Sequence, residues 1–204
     1  MTLRLSGDVS SVNGSTNFVD GKNYHFYDRL NNDQPPRLYQ KLLGQATKDI
    51  EIWDPHYTEN CKELFCEVEK DGICVEVLTI CRYFETRQNM VDFANIILRA
   101  IDKKKVPNCR VTVYALNTIG GTNRGRVEWH DRFLIVDENV YIVGASMDSL
   151  TSRSPSYGIE QLQDPKDKNL IIGKYIQYRN NIKEDNGVIR GNGYICSVKR
   201  GNGI

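Results

Sequence analysis

Residues 126–150 read RVEWHDRFLIVDENVYIVGASMDSL. Two apolar runs, FLIV and VYIV, flank Asp137-Glu138-Asn139, so the stretch predicts a long antiparallel hairpin over 127–146 rather than a helical crossover. One of only three histidines in the chain, His130, lies just before the first run. A lone histidine beside a strand is ordinarily a packed or solvated residue, and only its spacing to other groups can argue for chemistry.

Side chains alternate along a strand. Glu128, His130, Arg132, Leu134 and Val136 therefore share one face, and Val127, Trp129, Asp131, Phe133 and Ile135 the other. A histidine and an arginine two apart can hold one anionic group between them, the guanidinium neutralising oxygens while the imidazole reaches the central atom. Phosphate fits that arrangement. Asp137 lies seven residues on, roughly 23 Å along a straight strand, too far to orient His130 in the same chain. Its expected roles are to accept backbone N–H groups at the hairpin tip, or to meet a partner across a subunit boundary. Folding the hairpin about residue 138 sets position 130 opposite about 146. That returns Ser146 and Asp148 to the neighbourhood of His130, although Ser146 reads equally as a small residue where strand meets loop.

Outward from the hairpin, the upstream sequence alternates strands with helices. Pro35-Pro36 open a helix with Leu38, Leu42, Leu43 and Ala46 on one face, and the strand IEIW follows. After the turn DPHY come a helix over 59–70 carrying Leu64, Phe65 and Val68, a stop at Asp71-Gly72 and the buried strand ICVEVLTI. A helix over 86–105 turns Met90, Ala94, Ile97, Leu98 and Ile101 inward and ends in DKKK, which suits the negative end of the helix dipole; RVTVYAL is the next strand. This rhythm predicts an α/β fold with a mixed, mostly parallel central sheet flanked by helices and a long hairpin.

Beyond 150 the pattern weakens. Segment 157–163 reads as a strand, 169–183 as either strand or helix, and the end repeats Gly-Asn-Gly. The expected organisation is an N-terminal irregular extension over 1–35, whose turns allow a short hairpin, one catalytic domain over 36–184 and a Gly/Asn-rich tail over 185–204.

The 204 residues suffice for one domain with a buried core. Lys+Arg 27 against Asp+Glu 26 leaves a net charge of +1, which excludes a bulk field for nucleic acid or an anionic membrane but not a local basic cleft. No apolar run approaches the roughly 18 residues that span a bilayer, and MTLRLSGDVSS lacks the apolar core of a secretory signal, so the reading is cytoplasmic, with no membrane partner. Six cysteines without a C-x-x-C pair read as free buried thiols, and no metal site is expected. No G-x-G-x-x-G, Walker or G-x-S-x-G pattern supports a cofactor or a serine nucleophile.

His130-x-Arg132-x4-Asp137-x6-Gly144 resembles the His-x-Lys-x4-Asp-x6-Gly signature of the phospholipase D superfamily, with arginine where lysine is usual. The signature covers 130–144, and the strand-helix lead-in with its hairpin is similar to the family's single-motif unit over roughly 36–165. The family's Gly-Ser-x-Asn stands here as GASMD, one place shifted, which carries the phosphate contact to Ser146. Glu160 lies where the family's acid partner of the nucleophilic histidine is expected, and reads equally as an exposed strand residue.

The resemblance implies metal-free phosphodiester cleavage in two steps, with His130 attacking phosphorus and a second imidazole protonating the leaving oxygen. His25 and His56 lack the rest of the signature, so the resemblance implies a homodimer contributing His130 and Arg132 from each chain. The size and the absence of a membrane-facing amphipathic helix favour nucleic acid over lipid, with a lipid hydrolase and a non-catalytic phosphate-binding scaffold as the alternatives. Small single-motif members of this family are typically nucleases, which the resemblance adds to that preference. His56, in a turn after the first strand, is a candidate cleft residue or a plain turn histidine. Arg124 and Arg126 are candidate backbone contacts or a solvated loop.

Overall fold

The computed structural model describes residues 17–18, 24–27, 37–57, 59–80, 84, 86–116, 131–144, 157–180, 182–185, 188–191 and 193–200. In chain order the elements are β1 (Asn17–Phe18), β2 (Tyr24–Tyr27), α1 (Arg37–Gly44), β3 (Asp49–Trp53), a 3₁₀ helix (Glu59–Phe65), β4 (Ile73–Ile80), α2 (Arg87–Ala100) and β5 (Cys109–Leu116). There follow β6 (Phe133–Val136), β7 (Asn139–Val143), β8 (Tyr157–Gln161), α3 (Pro165–Asn180), β9 (Ile182–Asp185), β10 (Val188–Gly191) and β11 (Gly193–Arg200).

The fold is α/β, and the described residues form a mixed sheet of nine strands in the order β1-β2-β8-β7-β6-β3-β4-β5-β11, beside a separate β9–β10 hairpin. It is not mostly parallel. Only β3–β4 and β4–β5 run parallel, and every other neighbouring pair is antiparallel. Parallel neighbours need a crossover, which the 3₁₀ helix and α2 supply; the remaining strands are reached by hairpins or by segments returning along the sheet.

The two faces of the sheet carry separate cores. Ile50, Ile52, Val75, Val77, Val111, Val113, Leu134 and Val136 pack beneath α1, the 3₁₀ helix and α2. Trp53, Leu78, Tyr114, Phe133 and Ile135 face the other way and pack on Tyr175 of α3. Alternation along β3 and β6 divides their apolar residues between the two cores, and this gives a strand buried on both sides its continuous apolar run.

Several elements differ from expectation. The second helical segment is 3₁₀ and ends at Phe65, a form used in short pieces, although Leu64, Phe65 and Val68 are buried as expected. α2 starts from a capping box between Thr86 and Asn89 and stops at Ala100, with Ile101 already extended (φ −76, ψ 126) and DKKK beyond it. Carbonyls at its end and in the segment after it are met from β11 instead: the Arg200 guanidinium donates to Leu98 in the last turn, to Ile101 at the cap and to Val106 beyond it. Segment 169–183 lies mostly within a helix, α3, and residues 193–200, expected in a tail, form the β11 edge strand against β5. Residues 17–18 and 24–27 pair as a hairpin that joins the sheet through β8. Of the described cysteines, Cys109 and Cys196 are buried as expected, whereas Cys74 is only half-buried and Cys66 is exposed.

Candidate phosphate site at the ends of β3 and β6

The hairpin register is fixed by a two-residue turn. Val136 faces Asn139 and Phe133 faces Ile142, whereas a fold about residue 138 would set Phe133 opposite Val143. Asp137, first of the two turn residues, has a positive φ of 53°, and Glu138 does not. Aspartate is among the few residues besides glycine that enter the positive-φ region with any frequency. β6 itself is short, beginning at Phe133, so Asp131 and Arg132 precede the strand rather than lie within it. The ladder still continues one step, since Val143 N–H donates to the Arg132 carbonyl at 2.9 Å.

The Asp137 carboxylate does not serve its own hairpin. It accepts from Thr47 N–H (2.9 Å), the Thr47 hydroxyl (2.8 Å), Lys48 N–H (2.8 Å) and Asp49 N–H (3.0 Å), the turn that leads from α1 into β3. Asp137 N–H in turn donates to the Asp49 carbonyl at 2.9 Å. Burial pushes this carboxyl up, but the donors on Asp49, Thr47 and Lys48 outweigh it and hold the group below the usual carboxylate range.

Gly144 has a different reason to be glycine. Its N–H donates to the Gly158 carbonyl at 2.8 Å, and a Cβ there would stand 3.2 Å from that oxygen and 3.3 Å from Gly158 N. β7 and β8 approach so closely at this point that a side chain would require them to part by a few tenths of an ångström.

Arg132 is half-buried, with 22% of its side chain exposed, and its Nε lies 3.6 Å from Asp54 Oδ1. Asp54 directly follows β3 and is wholly buried; the same oxygen accepts the His56 backbone N–H at 2.8 Å. One carboxylate thus ties the DPHY turn to the arginine of the signature. Sequence reasoning gave weight to His56 in that turn and missed Asp54. A carboxylate immediately after an apolar strand, at the edge where open α/β sheets bind ligands, was the available signal.

Glu160 is not brought to Arg132. It is exposed on β8 and faces Ile142, which packs toward α3, whereas Arg132 faces Val143 in the core beneath α1 and α2. The two residues lie on opposite faces of the sheet. His130, Ser146, Asp148, Arg124 and Arg126 lie outside the described residues.

A second polar group sits on the α3 face. Glu51 and Glu76 are direct neighbours on β3 and β4, and Glu76 accepts from Arg179 of α3 at 2.8 Å and from Tyr114 at 3.4 Å. Burial, then the Glu76 charge, pushes the Glu51 carboxyl up to about 7. Burial likewise raises Tyr114 to about 12 and lifts Tyr175 well above its ordinary value. Among the described residues, no group of three or more His, Cys, Asp or Glu is placed to hold a metal ion, and no helix is long and apolar enough to cross a membrane.

No family model and no curated protein matches the chain. Among solved structures the chain is similar to NucT from Helicobacter pylori (TM-score 0.49, 12% identity, 70% of this chain and 85% of that one). It is also similar to TrmBL2, an archaeal chromatin protein with a novel mode of DNA binding (0.45, 13%, 81% and 56%). A third similarity is to polyphosphate kinase from Porphyromonas gingivalis (0.36, 9%), where the chain spans 76% of itself and 25% of that protein.

Proposed function

We propose that the protein is a metal-independent phosphodiesterase of the phospholipase D type that cleaves nucleic acid through a phosphohistidine on His130. The observation that supports this most is the Arg132 guanidinium, half-buried at the C-terminal edge of β3 with a buried carboxylate on one side. A charge so placed can bind a phosphodiester oxygen where water is scarce and electrostatic attraction is strong. The other positions of the signature have physical work of their own: Asp137 ties the α1–β3 turn to the hairpin, and Gly144 allows β7 to meet β8.

In the first step an imidazole nitrogen of His130 bonds to phosphorus, the bond to the leaving oxygen breaks, and a second imidazole gives that oxygen its proton. Water then attacks phosphorus, the phosphorus–nitrogen bond breaks, and the second imidazole takes the water's proton. The proposed source of that imidazole is His130 of a second copy, in a homodimer. Ser146 is proposed as a further phosphate contact. With Glu160 on the far face from Arg132, the acid-partner role is not assigned to it.

The test is incubation of the purified protein with single- and double-stranded DNA and RNA and with phosphatidylcholine vesicles, all in EDTA, beside His130→Ala. Cleavage of a nucleic acid that survives chelation and is lost in the variant is the expected outcome. Binding without cleavage in both proteins supports a phosphate-binding scaffold instead, and release of choline supports a lipid hydrolase.

A further inference from the structure

The β3–β4 ladder pairs Trp53 with Leu78, and the β3–β6 ladder pairs Trp53 with Phe133. One step further, where Asp54 N–H still donates to the Leu78 carbonyl at 3.1 Å, Asp54 comes between Thr79 on one side and Arg132 on the other. The three form a polar row across the sheet, continuing the face of Ile52, Val77 and Leu134.

Asp54 and Thr79 are both fully buried. Among the described residues, the Thr79 hydroxyl and Arg132 Nε are buried without a hydrogen-bond partner, and the 3.6 Å between Nε and Asp54 Oδ1 makes an ion pair that falls short of a hydrogen bond. Such groups cost stability: a valine in place of Thr79 would fill the same space, and a buried ion pair is weak grounds for a gain in stability. Unsatisfied polar atoms gathered at the C-terminal ends of parallel strands are characteristic of a ligand site rather than of a core.

We propose that Asp54 is a positioning residue for Arg132. It draws the guanidinium from the Nε side, so that the two terminal amino groups present a fork to the oxygens of a phosphodiester. This inference rests on the phosphodiesterase reading. It also gives arginine a reason to stand where the similar family has lysine, because a guanidinium can meet a carboxylate at Nε and a phosphate at its fork, whereas an ammonium is a single point of charge.

The test measures steady-state kinetics on the cleaved nucleic acid and the dissociation constant of inorganic phosphate, for wild type, Asp54→Asn, Arg132→Met and the double variant, each first checked for folding by circular dichroism. Asp54→Asn is expected to weaken phosphate binding by about tenfold and to lower kcat/KM by about a hundredfold, the scale of a misplaced binding group. In the Arg132→Met background the same change is expected to shift either quantity by less than about twofold, because its effect runs through the arginine.

Effects that multiply independently in the double variant, or a folded Asp54→Asn protein with wild-type phosphate affinity and kinetic constants, would overturn the proposal. If Asp54→Asn does not fold, Asp54→Glu keeps the buried charge and moves it by one methylene. A similar loss of phosphate affinity is expected there, and wild-type affinity overturns the role. A wild-type protein that neither cleaves nor binds phosphate sinks the phosphodiesterase reading itself, whereas cleavage that Arg132→Met removes and Asp54→Asn leaves intact sinks only the role of Asp54.

Discussion

Asp137 and Thr47, separated by 90 residues in sequence, are joined by the Asp137 carboxylate, which accepts both the backbone N–H and the hydroxyl of Thr47. Through the same carboxylate the tip of the β6–β7 hairpin holds the entry to β3, the strand that β6 pairs with. Replacing Asp137 by glycine separates its two duties, because glycine accepts the positive φ without steric strain but carries no carboxylate. Asp137→Gly is expected to destabilise the fold by about 1 to 3 kcal/mol, read as a lower urea midpoint, since hydrogen bonds to a charged group are the strong ones. Asp137→Asn, which keeps an acceptor and tolerates the turn, should cost less.

The glycines at 144 and 193 are expected to resist substitution to different degrees. A Cβ on Gly144 meets Gly158 at 3.2 Å, which a shift of a few tenths of an ångström between β7 and β8 can relieve. A Cβ on Gly193 would clash with the Ala115 carbonyl and stand 3.0 Å from Leu116 Cα, all backbone of the neighbouring strand. Gly144→Ala is expected to cost about 1 to 2 kcal/mol. Gly193→Ala is expected to cost more, with faster amide exchange along β11, and thermal melts with hydrogen exchange compare the two.

Glu51 makes stability depend on pH in a stated direction. Its carboxyl titrates near 7 in the folded protein against an ordinary value of 4.5, so between those values the folded state holds a proton that the unfolded state has released. Stability from this group is therefore fully present below about pH 4.5 and declines as pH rises to about 7, by an amount on the order of a few kcal/mol. Glu51→Gln should remove this decline. Urea midpoints at pH 5 and pH 8 decide it: an equal loss in both proteins assigns the decline to other groups.

Arg200 closes the end of α2 from another element, and its loss leaves the carbonyls of Leu98, Ile101 and Val106 short of a donor. Arg200→Met is expected to destabilise by about 1 to 3 kcal/mol while leaving β5 and its parallel partner β4 in place. Circular dichroism should show a lower thermal midpoint with a helical spectrum retained below it.

Period and punctuation made much of the fold legible. β4 falls over ICVEVLTI, and every residue assigned to the inward face of α2 is buried. What local pattern could not reveal was pairing. The antiparallel majority of the sheet depends on β6, β8 and β11 returning beside strands distant in sequence, and β11 was hidden because glycines on either side of YICSVKR read as a tail. α3 was ambiguous because its apolar residues follow neither period, with Tyr175 buried and Leu170 and Ile176 exposed. At the site, Arg132 stood out by its spacing, but its partner Asp54 comes from β3, 78 positions earlier by sequence number, and only the β3–β6 ladder brings them together.

The central claim, a covalent phosphohistidine, is tested most directly by the stereochemistry at phosphorus. The cleaved nucleic acid is supplied with one linkage as a single phosphorothioate diastereomer and hydrolysed in ¹⁸O-labelled water in EDTA. Two successive in-line displacements, one by His130 and one by water, predict net retention of configuration, and His130→Ala should release no product. Inversion of configuration, the mark of a single direct attack by water, would contradict the account.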